Sequence, residues 1–337
     1  MSLTNRLFIY APFALFVVLA LGVSVRWFSE ASAFSARLDR LNGNMLMPGV
    51  TLHFSSKEIS GFPFRMDAVF KNLEIDIQTH HGPSSWRTED FALHRLTYGA
   101  DTTLFEAAGR QRLAWTDRTG QHHELPFAVG SLRASAVESD QILGRFDLDA
   151  VSLNSPDVST EGVQIHVRKE PHNDAIDLFL SASDVRLGPK LSSAFGHAIE
   201  RALLSAKVVP ATPLAVLLAG KIDWPGGLVG AQHANGRLQV DQIEVAFDRL
   251  EATGKGTLAL DAEGRPEGIL DFKLEHFAKY LEAAREGEAR KGLAKAFVDR
   301  AAKAGSDGMG RLGIVLGARD GIVYAGDEPA GMLTSVY

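Results

Sequence analysis

The chain has 337 residues, with 35 Lys+Arg against 41 Asp+Glu for a net charge of −6, 45% hydrophobic residues and no cysteine. The apolar share excludes a disordered chain and allows a sizeable core, and zero cysteine excludes a disulfide scaffold, a thiolate metal site and a cysteine nucleophile. The acidic balance argues against a nucleic-acid partner, which would meet a basic surface, and the length suggests two lobes or one large β-domain.

After a short tail, 1–6, residues 7–25 carry no charge. As a helix they would extend about 28 Å, close to the roughly 30 Å hydrocarbon core of a bilayer. Phe8, Ile9, Phe13, Leu15, Phe16, Val17, Val18, Leu19, Leu21 and Val23 supply the bulk of this segment. Arg6 and Arg26 bracket it, and Trp27 and Phe28 suit the headgroup zone. Pro12 comes early, where a missing N–H costs little. We read 7–27 as an uncleaved transmembrane anchor. The rival is a signal peptide cut after Ala31-Ser32-Ala33, but the apolar run exceeds a usual h-region and Arg26, Trp27 and Phe28 would fall in the cleavage region. Arg6 on one side and Arg26, Arg37 and Arg40 on the other, offset by Glu30 and Asp39, do not decide orientation. A short leading tail and a large following domain favour the N-terminus inside. The bulk of the chain is then in the periplasm, held to a bacterial inner membrane.

Residues 28–49 predict a stalk helix and a linker, broken at Gly43 and Pro48-Gly49. From Val50 the period changes to two. Val50, Leu52 and Phe54 alternate with polar residues, as do Leu73, Ile75 and Ile77, then Val163, Ile165 and Val167, then Leu270, Phe272 and Leu274. Such alternation gives strands with one dry and one wet face and favours antiparallel sheet. Turns are expected at Thr119-Gly120, Asp261-Ala262-Glu263-Gly264 and Asp320-Gly321. Residues 256–261 and 268–275 read as one hairpin around Gly264-Arg265-Pro266. Helices are expected over 190–207, over 213–219 with Thr212 as cap and Gly220 as stop, and over 277–304. Trp224-Pro225-Gly226-Gly227 reads as a turn. The expected fold is mainly β (α+β): an N-terminal transmembrane helix, then a curved antiparallel sheet with a few packing helices. A first β-rich lobe would cover 50–188, a helical segment 189–220 and a second lobe 221–337.

No nucleotide loop, zinc-protease motif, nucleophile elbow or calcium loop occurs. His80-His81 and His122-His123 are neighbours that would point to opposite faces of a strand, so each pair offers one ligand, and no metal or cofactor is expected. Asp147, Asp149, Asp241, Glu244, Asp271 and Glu275 occupy polar strand phases, which reads as a solvated face rather than paired catalytic carboxylates. Gly61-Phe62-Pro63-Phe64-Arg65 stands out. Pro63 suits an edge, bulge or bend. Phe62 and Phe64 read either as a plug for the β-core or as the lining of an apolar groove.

These segments together resemble DUF2125, a family of uncharacterised alphaproteobacterial proteins. The resemblance rests on the anchor, Ile59-Ser60-Gly61-Phe62-Pro63-Phe64-Arg65 and Phe70-Lys71-Asn72-Leu73. It continues through Gly254-Lys255-Gly256-Thr257-Leu258-Ala259-Leu260-Asp261 and Gly264-Arg265-Pro266-Glu267-Gly268 to Gly321-Ile322-Val323-Tyr324 and the Gly331-Met332-Leu333 ending. It covers essentially the whole chain. It implies no catalytic residue, because the family has no assigned activity. The hairpins are also similar to those of AsmA-type envelope proteins, which implies membrane anchorage and the handling of lipid in a β-groove, though this chain is too short to bridge the periplasm. The expected function is a non-enzymatic module binding a lipid or another hydrophobic ligand for envelope maintenance. The alternative is a scaffold that pairs with other envelope proteins through a sheet edge. A hydrolase is disfavoured for want of a nucleophile–base pattern.

Overall fold

The computed structural model describes residues 3–79, 82–97, 102–117, 119–139, 142–188, 197–247, 250–276 and 312–337. It opens on one long helix, α1 (Leu3–Leu41). Pro12–Leu41 is long and apolar enough to cross a membrane, a test that a signal sequence also passes. Phe13, Phe16, Val18 and Leu21 are exposed. The helix then changes character. Trp27, Ala31 and Leu38 are buried, and they recur at helical spacing along one stripe. Leu38 shares a core with Leu52, Phe54, Ala68, Phe70 and Leu73, against which Phe34 and Leu41 pack. The expected stalk is therefore part of the domain. Asn42 completes the joint: its amide donates to the Phe54 carbonyl and its side-chain oxygen accepts from the Phe54 N–H (3.1 and 3.0 Å).

The sheet begins with three short strands, β1 (Asn44–Met47), β2 (Val50–His53) and β3 (Ser56–Ser60). β2 and β3 pair in tandem along one side of β4 (Arg65–Thr79). From β4 each strand pairs antiparallel with the next. The order is β5 (Gly82–Leu96), β6 (Thr102–Thr116), β7 (His122–Ser139), β8 (Ile142–Asn154), β9 (Val158–Lys169), β10 (Ile176–Leu187) and β11 (Ala198–Val209). Two helices follow, α2 (Thr212–Leu218) and α3 (Trp224–His233). The ladder then resumes through β12 (Arg237–Phe247), β13 (Leu250–Leu260), β14 (Pro266–Glu275), β15 (Leu312–Arg319), β16 (Ile322–Ala325) and β17 (Glu328–Met332). All seventeen belong to one sheet.

The strand twist accounts for where α2 and α3 lie. Counting through the hairpins, the 209 end of β11 is on the side of the 65 end of β4. Yet a Cβ on Gly220, between the two helices, would stand 3.4 Å from the Met47 Cβ, and one on Gly49 would stand 4.0 Å from the Asp223 Cβ. The β1–β2 turn sits at the opposite end of β4, where Gln78 donates to the Gly49 carbonyl (2.8 Å). Seven strand steps at about 20–25° each turn the strand direction through roughly 140–175°. That near reversal brings the two opposite ends together. A line of irregular residues crosses the same strands: Asn72, Gly109, Ser152 and Asp184, on β4, β6, β8 and β10, all have φ between 50 and 77°. The ladder loses carbonyl partners there. Buried Thr88 and Thr160 replace them, donating to the carbonyls of Asp90 (2.9 Å) and Ser183 (2.7 Å).

Three local expectations need correction. Of the helix expected over 190–207, residues 190–196 lie outside the described part, and 198–207 belong to β11. Its Ala- and Leu-rich sequence satisfies both periods, and pairing decides: Ala202, Leu204 and Ala206 stand between Ala182, Leu180 and Leu178 on one side and Val245, Ile243 and Val240 on the other. Trp224-Pro225-Gly226-Gly227 opens α3 instead of forming a turn. Asp223 caps it by accepting from the Gly226 N–H (2.9 Å), and Pro225 suits the first turn. The helix at 213–219 is present as α2, but Ala211 occupies the cap position and the Thr212 hydroxyl donates to Asp174 (3.0 Å). The helix expected over 277–304 lies outside the described residues.

The hairpin expected around Gly264 is β13–β14, with Leu260 opposite Pro266. Its glycines have a steric cause. A Cβ on Gly256 (φ +159°) would come 2.1 Å from the Ile269 carbonyl, and one on Gly268 (φ +146°) 2.1 Å from the Thr257 carbonyl. Gly256→Ala should therefore destabilise the protein by about 1–3 kcal/mol, read as a lower denaturant midpoint. Gly313→Ala, whose Cβ meets nothing within 4 Å, should leave the midpoint within error.

Candidate functional site

Residues directly opposite in an antiparallel ladder share a face. Following the register from strand to strand therefore traces that face across the sheet. One row runs Phe70, Phe91, Ala107, Leu132, Ala150, Val163, Ala182, Ala202, Val245, Ala252, Leu274, Leu312. A second, two residues along each strand, runs Ala68, Leu93, Phe105, Ala134, Leu148, Ile165, Leu180, Leu204, Ile243, Gly254, Phe272, Ile314. Neither row contains a polar side chain from β4 to β15.

The two ends of this face are filled. At the β4 end lies the core shared with α1. At the other end Leu250, Leu274, Leu312, Ile314, Ala325 and Ala330 form a second buried cluster. Between them, across β8–β11, Leu148, Ile165 and Leu204 are half-buried and Leu180 is 39% exposed. The middle of the face is thus apolar and, among the described residues, incompletely covered.

The opposite face is polar and charge-matched. A 680 Å³ cleft there is lined by Arg87, Arg110, Arg112, Glu74 and Glu89 among others. Arg87 pairs with Glu74 (2.6 Å), Arg110 with Glu89 (2.8 Å) and Arg112 with Glu124 (3.5 Å), so no net charge is left to collect an ion. Ser135, Asp147 and His166 meet on adjacent strands, but in an order that does not activate a nucleophile. The Asp147 carboxylate stands between the other two, 3.3 Å from the Ser135 hydroxyl and 2.7 Å from His166 Nδ1. Burial pushes the Asp147 carboxyl up, but hydrogen bonds from His166 and Arg145 outweigh it and hold the group below its ordinary value. Asp149 accepts from Gln164 (3.0 Å) and Glu244 pairs with Arg201, as expected of strand polar phases. His123 contacts Asp117 (2.7 Å) and stacks on Trp115, whereas His80-His81 lie outside the described residues. Glu251, Glu275 and His276 bring ligand atoms within 4.8 Å, at partly exposed positions where such a group is common without an ion.

The Gly61-Phe62-Pro63-Phe64-Arg65 segment is the turn from β3 to β4, packed on α1 at Trp27 and Phe28, and not on the apolar rows. Phe62 stacks on Phe28 (centroids 5.9 Å) and meets Trp27 edge-on (5.5 Å). The Trp27 indole N–H donates to the Arg65 carbonyl (2.8 Å). The Phe64 carbonyl accepts from the Thr97 N–H (3.2 Å) and hydroxyl (3.0 Å), and the Arg65 guanidinium holds the buried Asp67 (3.0 Å). Gly61 has φ +98°, and a Cβ there would stand 2.9 Å from the Arg65 carbonyl. Phe62 is 51% and Phe64 59% exposed, so neither plugs the core. Of the anchor residues, Phe13, Leu15, Phe16, Val17, Val18, Leu19, Leu21 and Val23 are all exposed, and Phe8 and Ile9 lie on the same helix. Sequence reading found the motif but not its partner: Trp27 is far away in the chain, and only the packing of α1 brings them together.

The model of a family described as "Uncharacterized protein conserved in bacteria (DUF2125)" matches residues 27–333. No curated protein matches the chain. The matched region begins at Trp27, so it takes in the half of α1 that packs on the sheet. By this match the chain belongs to the DUF2125 family, whose description names no activity.

Proposed function

We propose that this protein is a non-enzymatic, single-pass module of the bacterial inner membrane, with its bulk in the periplasm, that holds an acyl chain or a similar apolar ligand on its sheet. The observation that carries the reading is the apolar face, unbroken over twelve strands, filled at both ends and half-buried across β8–β11. A water-facing apolar surface of that extent is costly and marks a binding surface in soluble domains. The size of the open stretch is suited to one chain. A hydrocarbon core of about 30 Å holds two leaflets, so one acyl chain extends roughly 15 Å. The three spacings from β8 to β11, at about 4.8 Å each, cover nearly the same length. The reading does not depend on the AsmA-type likeness.

Packing supports retention of the anchor. Cleavage after Ala33 would remove buried Trp27 and Ala31 and the hydrogen bond to Arg65. The intact mass of the protein extracted from membranes should include residues 1–33; a mature chain beginning at Phe34 would contradict the anchor.

The ligand is tested by photo-crosslinking a diazirine-bearing fatty acid to the full chain in detergent. Adducts should map to peptides of β8–β11 and be lost in Leu180→Glu, which puts a charge in the middle of the open stretch. Adducts confined to α1 would overturn the reading. A specific protein neighbour captured in cells, without a lipid adduct, would instead favour the scaffold alternative.

A further inference from the structure

The β3–β4 turn is a feature of the family resemblance that the apolar face does not use. Its aromatic residues have an unusual setting. Phe28, Phe62 and Phe64 leave half or more of their surface exposed, although each sits in a well-defined joint. Phe28 and Phe62 stack, Phe62 leans on buried Trp27, and the Phe64 backbone is fixed to Thr97. Leu96, opposite Arg65 on β5, is exposed beside them. The patch is continuous with the exposed apolar half of α1. Val23 lines one side of a 170 Å³ cleft whose other side is Pro63 and Phe64. Arg26, Arg65 and Arg95 lie beside the patch with exposed guanidinium groups, Arg26 also pairing with Glu30 (2.8 Å) and Arg65 with Asp67 (3.0 Å).

Aromatic rings flanked by arginines, at the point where an apolar helix leaves its hydrophobic run, match the chemistry of a bilayer interface. Phenylalanine rings bury at the boundary of headgroups and acyl chains, and guanidiniums meet lipid phosphates. We infer that Phe28, Phe62 and Phe64 form a foot seated in the lipid headgroup layer. The foot sets the domain at a fixed angle on the membrane, with the start of β4 and the end of β5 at the lipid surface. A bare helical tether would let the domain tilt. The stacked foot gives a second point of contact, so the apolar face starts next to the source of its ligand. This rests on α1 being an anchor, and the test separates the two claims.

The chain has no cysteine, so single-cysteine variants can be nitroxide-labelled without a background. The full chain carrying Phe64→Cys, Val17→Cys or Met332→Cys is placed in vesicles of phosphatidylethanolamine with phosphatidylglycerol. Met332 is 87% exposed, at the opposite edge of the sheet, and serves as the aqueous reference. The label at 64 should show raised access to oxygen and reduced access to a water-soluble nickel chelate relative to 332, at a depth shallower than 17. Access at 64 equal to that at 332, with 17 deep in the acyl region, would overturn the foot and leave the anchor standing. Water-like access at 17 would overturn both.

Discussion

The sheet of this protein is governed by register. In a run of antiparallel hairpins every residue hands its face to the residue opposite, so a choice made on one strand binds the next. Here the same choice is kept from β4 to β15, and the result is a wide apolar surface that does not belong in water. The rest of the molecule answers that constraint. The second half of α1 covers the face at its start, where Ala68 and Phe70 are nearly inaccessible. A separate cluster around Leu274 and Ile314 closes the other end. The twist carries the strands round until α2 and α3 meet the β1–β2 turn. What is left between is the stretch from Leu148 to Leu204.

α1 combines in one continuous helix an apolar stretch long enough to cross a membrane and a stretch that packs on the sheet. From Phe13 to Val25 it exposes apolar side chains such as Leu15, Phe16, Val18 and Leu21, and from Trp27 on it buries a single stripe, with Arg26 and Glu30 paired on the outside. The change occurs at Trp27, whose indole is held by the backbone of the β3–β4 turn. The apolar stretch and the sheet domain are thereby joined through a packed contact. From Trp27 to Leu38 the helix rises about 16 Å, and from Arg65 to Phe70 the strand rises about 17 Å. The two elements therefore keep step along the joint.

Much of this was legible in the residues. Alternation in Leu73, Ile75 and Ile77 or in Leu270, Phe272 and Leu274 identified half-buried strands, and Gly264 identified a hairpin. The apolar segment before Arg26 identified a helix fit for a membrane. Other features were not legible, for physical reasons. β11 carries small and aliphatic residues on both phases, so its period is ambiguous until β10 and β12 pair with it. Asp223 and Pro225 are a helix start, but the glycines after them look like a turn; Gly227 is needed because a Cβ would stand 2.9 Å from Leu217 of α2. The exposed aromatics of the β3–β4 turn gain their meaning from Trp27 and Phe28. The continuity of the apolar face is invisible in any one strand, since it exists only in the register between them.

If the face across β8–β11 accommodates something other than the protein's own side chains, a high-resolution structure of the full chain isolated from membranes should contain it. Elongated non-protein density is expected against Leu148, Ile165, Leu180 and Leu204, across the strands. Those four residues packed solidly by side chains of the chain itself, with no ligand density, would contradict it.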